Sequence, residues 1–141
     1  MRILVAMDGS EHALRALHHV LELAPQMREP IELHVLNVQP PTFGTVKRHV
    51  SPEALQTYYQ EEGEQALRAA RALLEASAAV TRSYHVAVGP VAEAIVQYAS
   101  EHHCRQIVMG TRGLGTVSGL LLGSVALKVL QLAEVPVTLV K

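Results

Sequence analysis

Residues 2–10, Arg2-Ile3-Leu4-Val5-Ala6-Met7-Asp8-Gly9-Ser10, pass from an almost unbroken apolar run into a short polar turn. A run without alternating polar positions fits a strand covered on both faces by helices rather than one with a wet side. Beyond the turn, Ala13, Ala16, Leu17, Val20, Leu21 and Ala24 recur at helical spacing, with Ser10 as the N-cap and Pro25 as the stop. Strand, polar turn and helix form a unit that the remainder of the chain repeats.

A second strand is predicted from Ile31 to Val38, followed by a polar, proline-bearing loop from Gln39 to Ser51. Pro52 opens the next helix at its first position, where a missing N–H costs nothing, and good helix formers continue to about Ala79. Thr81–Val88 reads as a third strand and Gly89-Pro90 as a turn. Val91, Ala94, Ile95, Tyr98, Ala99 and His102 mark a third helix. Gln106–Met109 is a short fourth strand. Leu122, Val125, Ala126, Val129, Leu130 and Ala133 define a fourth helix before the final strand, Val135–Val140. This alternation demands right-handed crossovers, and so an open parallel sheet with helices on both faces. No shift of composition divides the chain, so residues 1–141 are read as one domain.

With 49% hydrophobic and 18% charged residues and a net charge of -1, the composition is that of an ordinary globular domain. No basic stripe stands out, and Tyr58-Tyr59 has no interleaved lysine or arginine, so nucleic acid is not an expected partner. The single cysteine, Cys104, excludes an internal disulfide framework. The first residues run straight into a strand without a charged leader, and no apolar tract approaches the roughly 20 residues of a membrane span. A cytoplasmic protein with no membrane partner is the expectation.

In open α/β sheets, ligands bind outside the carboxyl ends of the strands where strand order reverses. For the order 3-2-1-4-5 that point lies between the first and fourth strands, which here lead into Asp8-Gly9-Ser10 and into the segment 110–124. Five of the nine glycines fall between Gly110 and Gly123, which implies backbone freedom or close approach there. Side-chain-free positions let successive N–H groups converge on anionic oxygens, and the next helix presents its orphan amides at Gly123-Ser124-Val125. Ser124 is expected both to cap that helix and to donate its hydroxyl to a phosphate. The competing reading is a flexible loop around a helix start. The segment is not a P-loop, because it lacks the Lys-Ser/Thr pair and follows the fourth strand rather than the first.

Asp8 reads either as a turn-capping carboxylate or as a group near phosphates, and in the second case a divalent cation must lie between the like charges. Arg112, between two glycines, reads as a solvated loop charge or as a phosphate ligand. His102-His103-Cys104 is a poor metal site, since consecutive side chains on a helix diverge and no second cluster supplies ligands. His34 is expected to be a satisfied buried imidazole. Neither Cys104 nor Ser10 or Ser118 has the base partner that nucleophilic catalysis needs.

Gly110-x2-Gly113-x9-Gly123-Ser124 resembles the nucleotide-binding signature of the universal stress protein family, and it matches at every defined position. The resemblance extends from Ile3-Leu-Val-Ala-Met-Asp-Gly-Ser10 through Leu33-His34-Val35 to Ile107-Val-Met-Gly-Thr-Arg-Gly113 and Val135-Pro-Val-Thr-Leu-Val140. It implies a five-stranded parallel sheet of order 3-2-1-4-5, bound ATP, accompanied by Mg2+ or Mn2+ if Asp8 faces the phosphates, and a homodimer formed through the last strand. By position, it implies that Ala6, Met7, Asp8 and Val35 frame the adenosine end, with the Val35 main chain reading the adenine edge. Met109, Gly110, Arg112, Gly113, Gly123, Ser124 and Val125 then hold ribose and phosphates. The expected role is a regulatory or stress-protective nucleotide-binding dimer. Alternatives are a slow ATPase, an ATP-dependent transferase or ligase on the same sheet, and a nucleotide-free dimeric adaptor.

Overall fold

The computed structural model describes residues 1–42, 49–114 and 122–141. Among the described residues five strands alternate with these α-helices: β1 (Arg2–Ala6), α1 (Glu11–Leu23), β2 (Glu32–Gln39), α2 (Pro52–Glu75), β3 (Thr81–Val88), α3 (Val91–Glu101), β4 (Gln106–Gly110), α4 (Ser124–Leu132) and β5 (Val137–Val140). A 3-10 turn over Ala24–Gln26, with Pro25 inside it, closes α1. The strands form one parallel sheet of order β3-β2-β1-β4-β5, as the alternation and the resemblance imply.

Period-2 alternation sends neighbouring residues of β1 to opposite faces, and each face buries its own core. Ile3, Val5 and Met7 pack with Leu33, Val35, Leu17, Val20, Leu67 and Leu74 beneath α1 and α2. Leu4 packs with Leu36, Val38, Ile95, Ile107, Met109 and Val129 beneath α3 and α4. The double burial explains why the central strands carry unbroken apolar runs.

Helix ends follow their local chemistry. The Ser10 hydroxyl accepts from the Ala13 amide at 3.2 Å, and Ser51 does the same for Ala54 at 3.1 Å with Pro52 in the first turn. Each such cap contributes about 1 kcal/mol. Several boundaries shift by a residue, and three departures have a visible cause or consequence. Helix α2 stops at Glu75 rather than near Ala79, because the Ser77 amide turns back to the Leu74 carbonyl and its hydroxyl accepts from Ala79, a local alternative to further helix. Strand β5 begins at Val137 rather than Val135, with the Pro136 carbonyl still accepting from Ile107. Helix α4 begins at Ser124, so the expected contribution of Leu122 lies outside it.

Candidate functional site

A cleft of about 220 Å³ opens at the carboxyl ends of β1 and β4, where the strand order reverses. Its lining divides by chemistry. Ala6, Leu36, Val38, Val91, Ile95 and Met109 make an apolar wall contributed by β1, β2, α3 and β4. Opposite stand Asp8, Thr111, Arg112, Gly113, Gly123, Ser124 and Val125, a rim of small, polar and charged residues. An apolar slot beside convergent polar groups is the usual form of a small-molecule site.

The two loops flanking the cleft are fastened to each other. The Asp8 carboxylate accepts from the Ser10 amide at 2.9 Å within its own turn, and from the Leu114 amide at 3.2 Å across the cleft mouth. Gly113 allows this approach, because a Cβ there would lie 2.5 Å from Asp8 Oδ2. The turn-capping reading of Asp8 is therefore correct, and the carboxylate lines the cleft as well. Gly110 lies against the first turn of α1, and a Cβ would meet the His12 main-chain carbon at 2.7 Å.

Thr111 joins three elements. Its amide donates to the Val140 carbonyl at 2.9 Å, and its carbonyl accepts from Gly123 at 2.7 Å. The second bond sets the start of α4. Gly123 is the N-cap, with no side chain to cover the first amides, and Ser124 is the exposed first helical residue. The expected capping by Ser124 is thus corrected: the hydroxyl sits one position too late. The helix consequently presents its positive end to the cleft without a side-chain cap. Beside it, Arg112 Nε is buried with no hydrogen-bond partner among the described residues.

Ten of the eleven residues expected at the site line the cleft: Ala6, Met7, Asp8, Met109, Gly110, Arg112, Gly113, Gly123, Ser124 and Val125. Val35 does not. It is fully buried on the α1 and α2 face, and its main chain lies in the ladder between Val5 and Tyr84. Leu36, Asn37 and Val38, further along β2, take its place. Gly115, Ser118 and Gly119 lie outside the described residues, as does part of the loop expected between Gln39 and Ser51.

Asn37 was not anticipated. Its buried side chain donates to the Met7 carbonyl at 2.8 Å and accepts from Gln39 at 2.8 Å, which fixes the exit of β1 toward Asp8. The polar break in the apolar run of β2 is the signal that marks it. Asn37→Ala leaves the Met7 carbonyl without this donor, and a loss of about 2 kcal/mol is expected, read as a lower urea midpoint at unchanged slope.

No group of three or more His, Cys, Asp or Glu side chains among the described residues is placed to hold a metal ion. A hard cation would depend on Asp8, whose oxygens retain lone pairs, and on oxygens of a bound phosphate. This is the usual way Mg2+ is held. Lys128 of α4 pairs with Glu93 of α3, and the ammonium holds that carboxyl below its usual range.

Residues 1–141 match the model of the universal stress protein family. The universal stress protein in the QAH/OAS sulfhydrylase 3' region of Thermus aquaticus is 37% identical over 142 residues, covering 99% of this chain and 97% of the relative. Universal stress protein MJ0531 of Methanocaldococcus jannaschii is 32% identical over 141 residues, covering 99% and 81%. Among solved structures, that of protein MJ0577 superposes with a TM-score of 0.84 at 28% identity, covering 99% of this chain and 94% of the other. A universal stress protein in complex with cAMP gives 0.72 at 25% identity, covering 100% and 97%. That of Archaeoglobus fulgidus in complex with dAMP gives 0.68 at 25% identity, covering 100% and 98%. On the whole-chain family match and these identities, the chain belongs to the universal stress protein family.

Proposed function

We propose that the cleft binds ATP, with Mg2+ or Mn2+ between Asp8 and the phosphates, and that the protein is a homodimeric regulatory or stress-protective module whose occupancy alters the surface it offers to partners. The observation that carries this reading is the pairing of a buried Arg112 Nε, without a hydrogen-bond partner among the described residues, with the start of α4 that no side chain caps, both on the polar rim of one cleft. Guanidinium N–H groups and helix-start amides are donors that call for an anion. The apolar wall opposite suits the faces of a purine. Adenine nucleotides bound in two relatives support the base, and the triphosphate is our assignment from the intact glycine spacing.

In this reading Ala6, Leu36, Val38 and Met109 enclose the base, while Gly110, Arg112, Gly113, Gly123, Ser124 and Val125 hold ribose and phosphates. Asp8 keeps the two loops together and shares the cation. Hydrolysis would need a positioned base; Asp8 lines the cleft but is engaged by the Ser10 and Leu114 amides, and Glu11 and His12 lie outside the described lining, which favours retention over turnover. Dimerisation through β5 is supported by its edge position and by Leu127, Leu130 and Leu132 standing 48%, 43% and 41% exposed on the adjacent α4. Among the described residues no helix is long and apolar enough to cross a membrane, and a cytoplasmic site of action belongs to this proposal.

The test is to denature the purified protein and identify what it releases by chromatography and mass spectrometry. ATP, near one per chain, is the expected result, and Ser124→Ala should retain it about tenfold less tightly through loss of one donor to a charged oxygen. Release of no nucleotide, with no ATP binding in equilibrium dialysis, would return the protein to the class of nucleotide-free adaptors. Turnover at tens of events per second would make it an enzyme.

A further inference from the structure

At the opposite end of the α3 face from the cleft's polar rim, three imidazoles from three elements converge. His34 of β2, His85 of β3 and His102 at the end of α3 have ring centroids 5.8, 5.7 and 5.9 Å apart pairwise. Tyr98 sits among them, stacked on His102 at 3.8 Å and edge-on to His34. Hydrogen bonds tie the rings to their surroundings. Glu32 accepts at 3.1 Å from His34 Nε2, and in the neutral ring His34 Nδ1 then accepts from the Tyr98 hydroxyl at 2.9 Å. Burial holds that phenol protonated, its pKa pushed up to about 12. His102 Nδ1 donates to the Tyr98 carbonyl at 3.0 Å.

We propose that the His34–His85–His102 cluster is a proton-sensitive latch that seats α3 on the sheet when its rings are neutral and releases it on acidification. Every titratable or charged group facing the cluster bears on this. Arg2 of β1 adds positive charge, donating to Glu32 at 3.0 Å and to the His102 carbonyl at 3.1 Å. Glu32 of β2 supplies the negative charge, and Arg2 already engages it. Tyr98 is held neutral, and burial pushes the Cys104 thiol up, so neither offers compensation near neutral pH. A proton on His85 would also meet like charge from His34 and His102, whose rings lie 5.8 and 5.9 Å away, with only Glu32, already engaged by Arg2, to offset it.

His85 gives the sign. Burial first, then the neighbouring charges of His34 and His102, hold its pKa below the ordinary 6.5. Above that value both folded and unfolded forms are neutral and stability is independent of this ring. As pH falls through 6.5 the unfolded chain takes up a proton that the folded one resists, so stability falls with pH from there downward. The ring lies between β3 and the end of α3, so the loss is local. Helix α3 also carries Val91 and Ile95 in the cleft wall, and the latch therefore acts on the cleft from behind.

The experiment is native-state hydrogen exchange on the full chain at pH 7.5 and 5.5, corrected for intrinsic rates. Helix α2, which contains no histidine, is the internal control. Opening of α3 is expected to rise about tenfold relative to α2, and His85→Gln should remove most of that rise. Parallel response of α2 and α3, or an unchanged rise in the variant, would overturn the latch. Should His85→Gln fail to fold, ring-proton titration of the wild type decides: staggered, mutually displaced midpoints support the latch, and three independent single-proton curves refute it.

Discussion

Gly123→Val protein is expected to fold, keep the oligomeric state of the wild type, and release no adenine nucleotide on denaturation. Gly123 has φ -74° and ψ 162°, ordinary extended backbone that a β-branched residue adopts readily. Its amide bond to Thr111 and its carbonyl bond to Leu127 involve no side chain and survive the change. Valine is a poor N-cap, and a cost of about 1 kcal/mol is expected. Its methyl groups, however, stand at the uncapped start of α4, in the volume assigned to phosphate. Loss of retention with a small drop in melting temperature is the expected result. Full retention in Gly123→Val would show that the nucleotide, if bound, lies elsewhere.

Gly110→Ala should behave in the opposite manner, damaging the fold before the site. The added methyl would meet the His12 main-chain carbon and Cβ at 2.7 Å and its carbonyl oxygen at 2.9 Å, contacts that only movement of α1 or β4 relieves. Overpacking against main chain costs about 3 kcal/mol, equivalent to roughly 10 °C in melting temperature for a domain of this size. Gly89→Ala is the matched control, because its nearest neighbour would be the Ala94 methyl at 3.9 Å. Its expected effect is within about 0.5 kcal/mol. Differential scanning calorimetry of the pair separates a packing requirement from a general intolerance of substitution.

The sheet was legible because its signals are local and repeated. Apolar runs at Ile3–Val5 and Ile107–Met109, each followed by polar or glycine-bearing turns, could belong to little but doubly covered parallel strands. Ser10, Ser51 and Pro52 acted at the helix starts as their chemistry dictates. Depth along a strand was less legible. Leu33 to Val38 interrupts its apolar run only at His34 and Asn37, and nothing in it says how far β2 runs before reaching the cleft, so Val35 was placed where Leu36 to Val38 stand. The α4 cap was misplaced by one residue because serine is a better cap than glycine on propensity alone, whereas the Thr111 carbonyl fixes Gly123 there. His34 was anticipated as a satisfied interior imidazole. Its convergence with His85 and His102 depends on three-dimensional packing and leaves no trace in spacing.

Thr111 gives the architecture a mechanical property. Because one residue receives its amide's acceptor from the terminal strand and lends its carbonyl to the glycine that begins α4, the sheet's outer border and the helix start at the cleft are linked through Thr111. A displacement of Val140 along the border is therefore expected to reach the first amides of α4 through two main-chain hydrogen bonds, without crossing the hydrophobic interior.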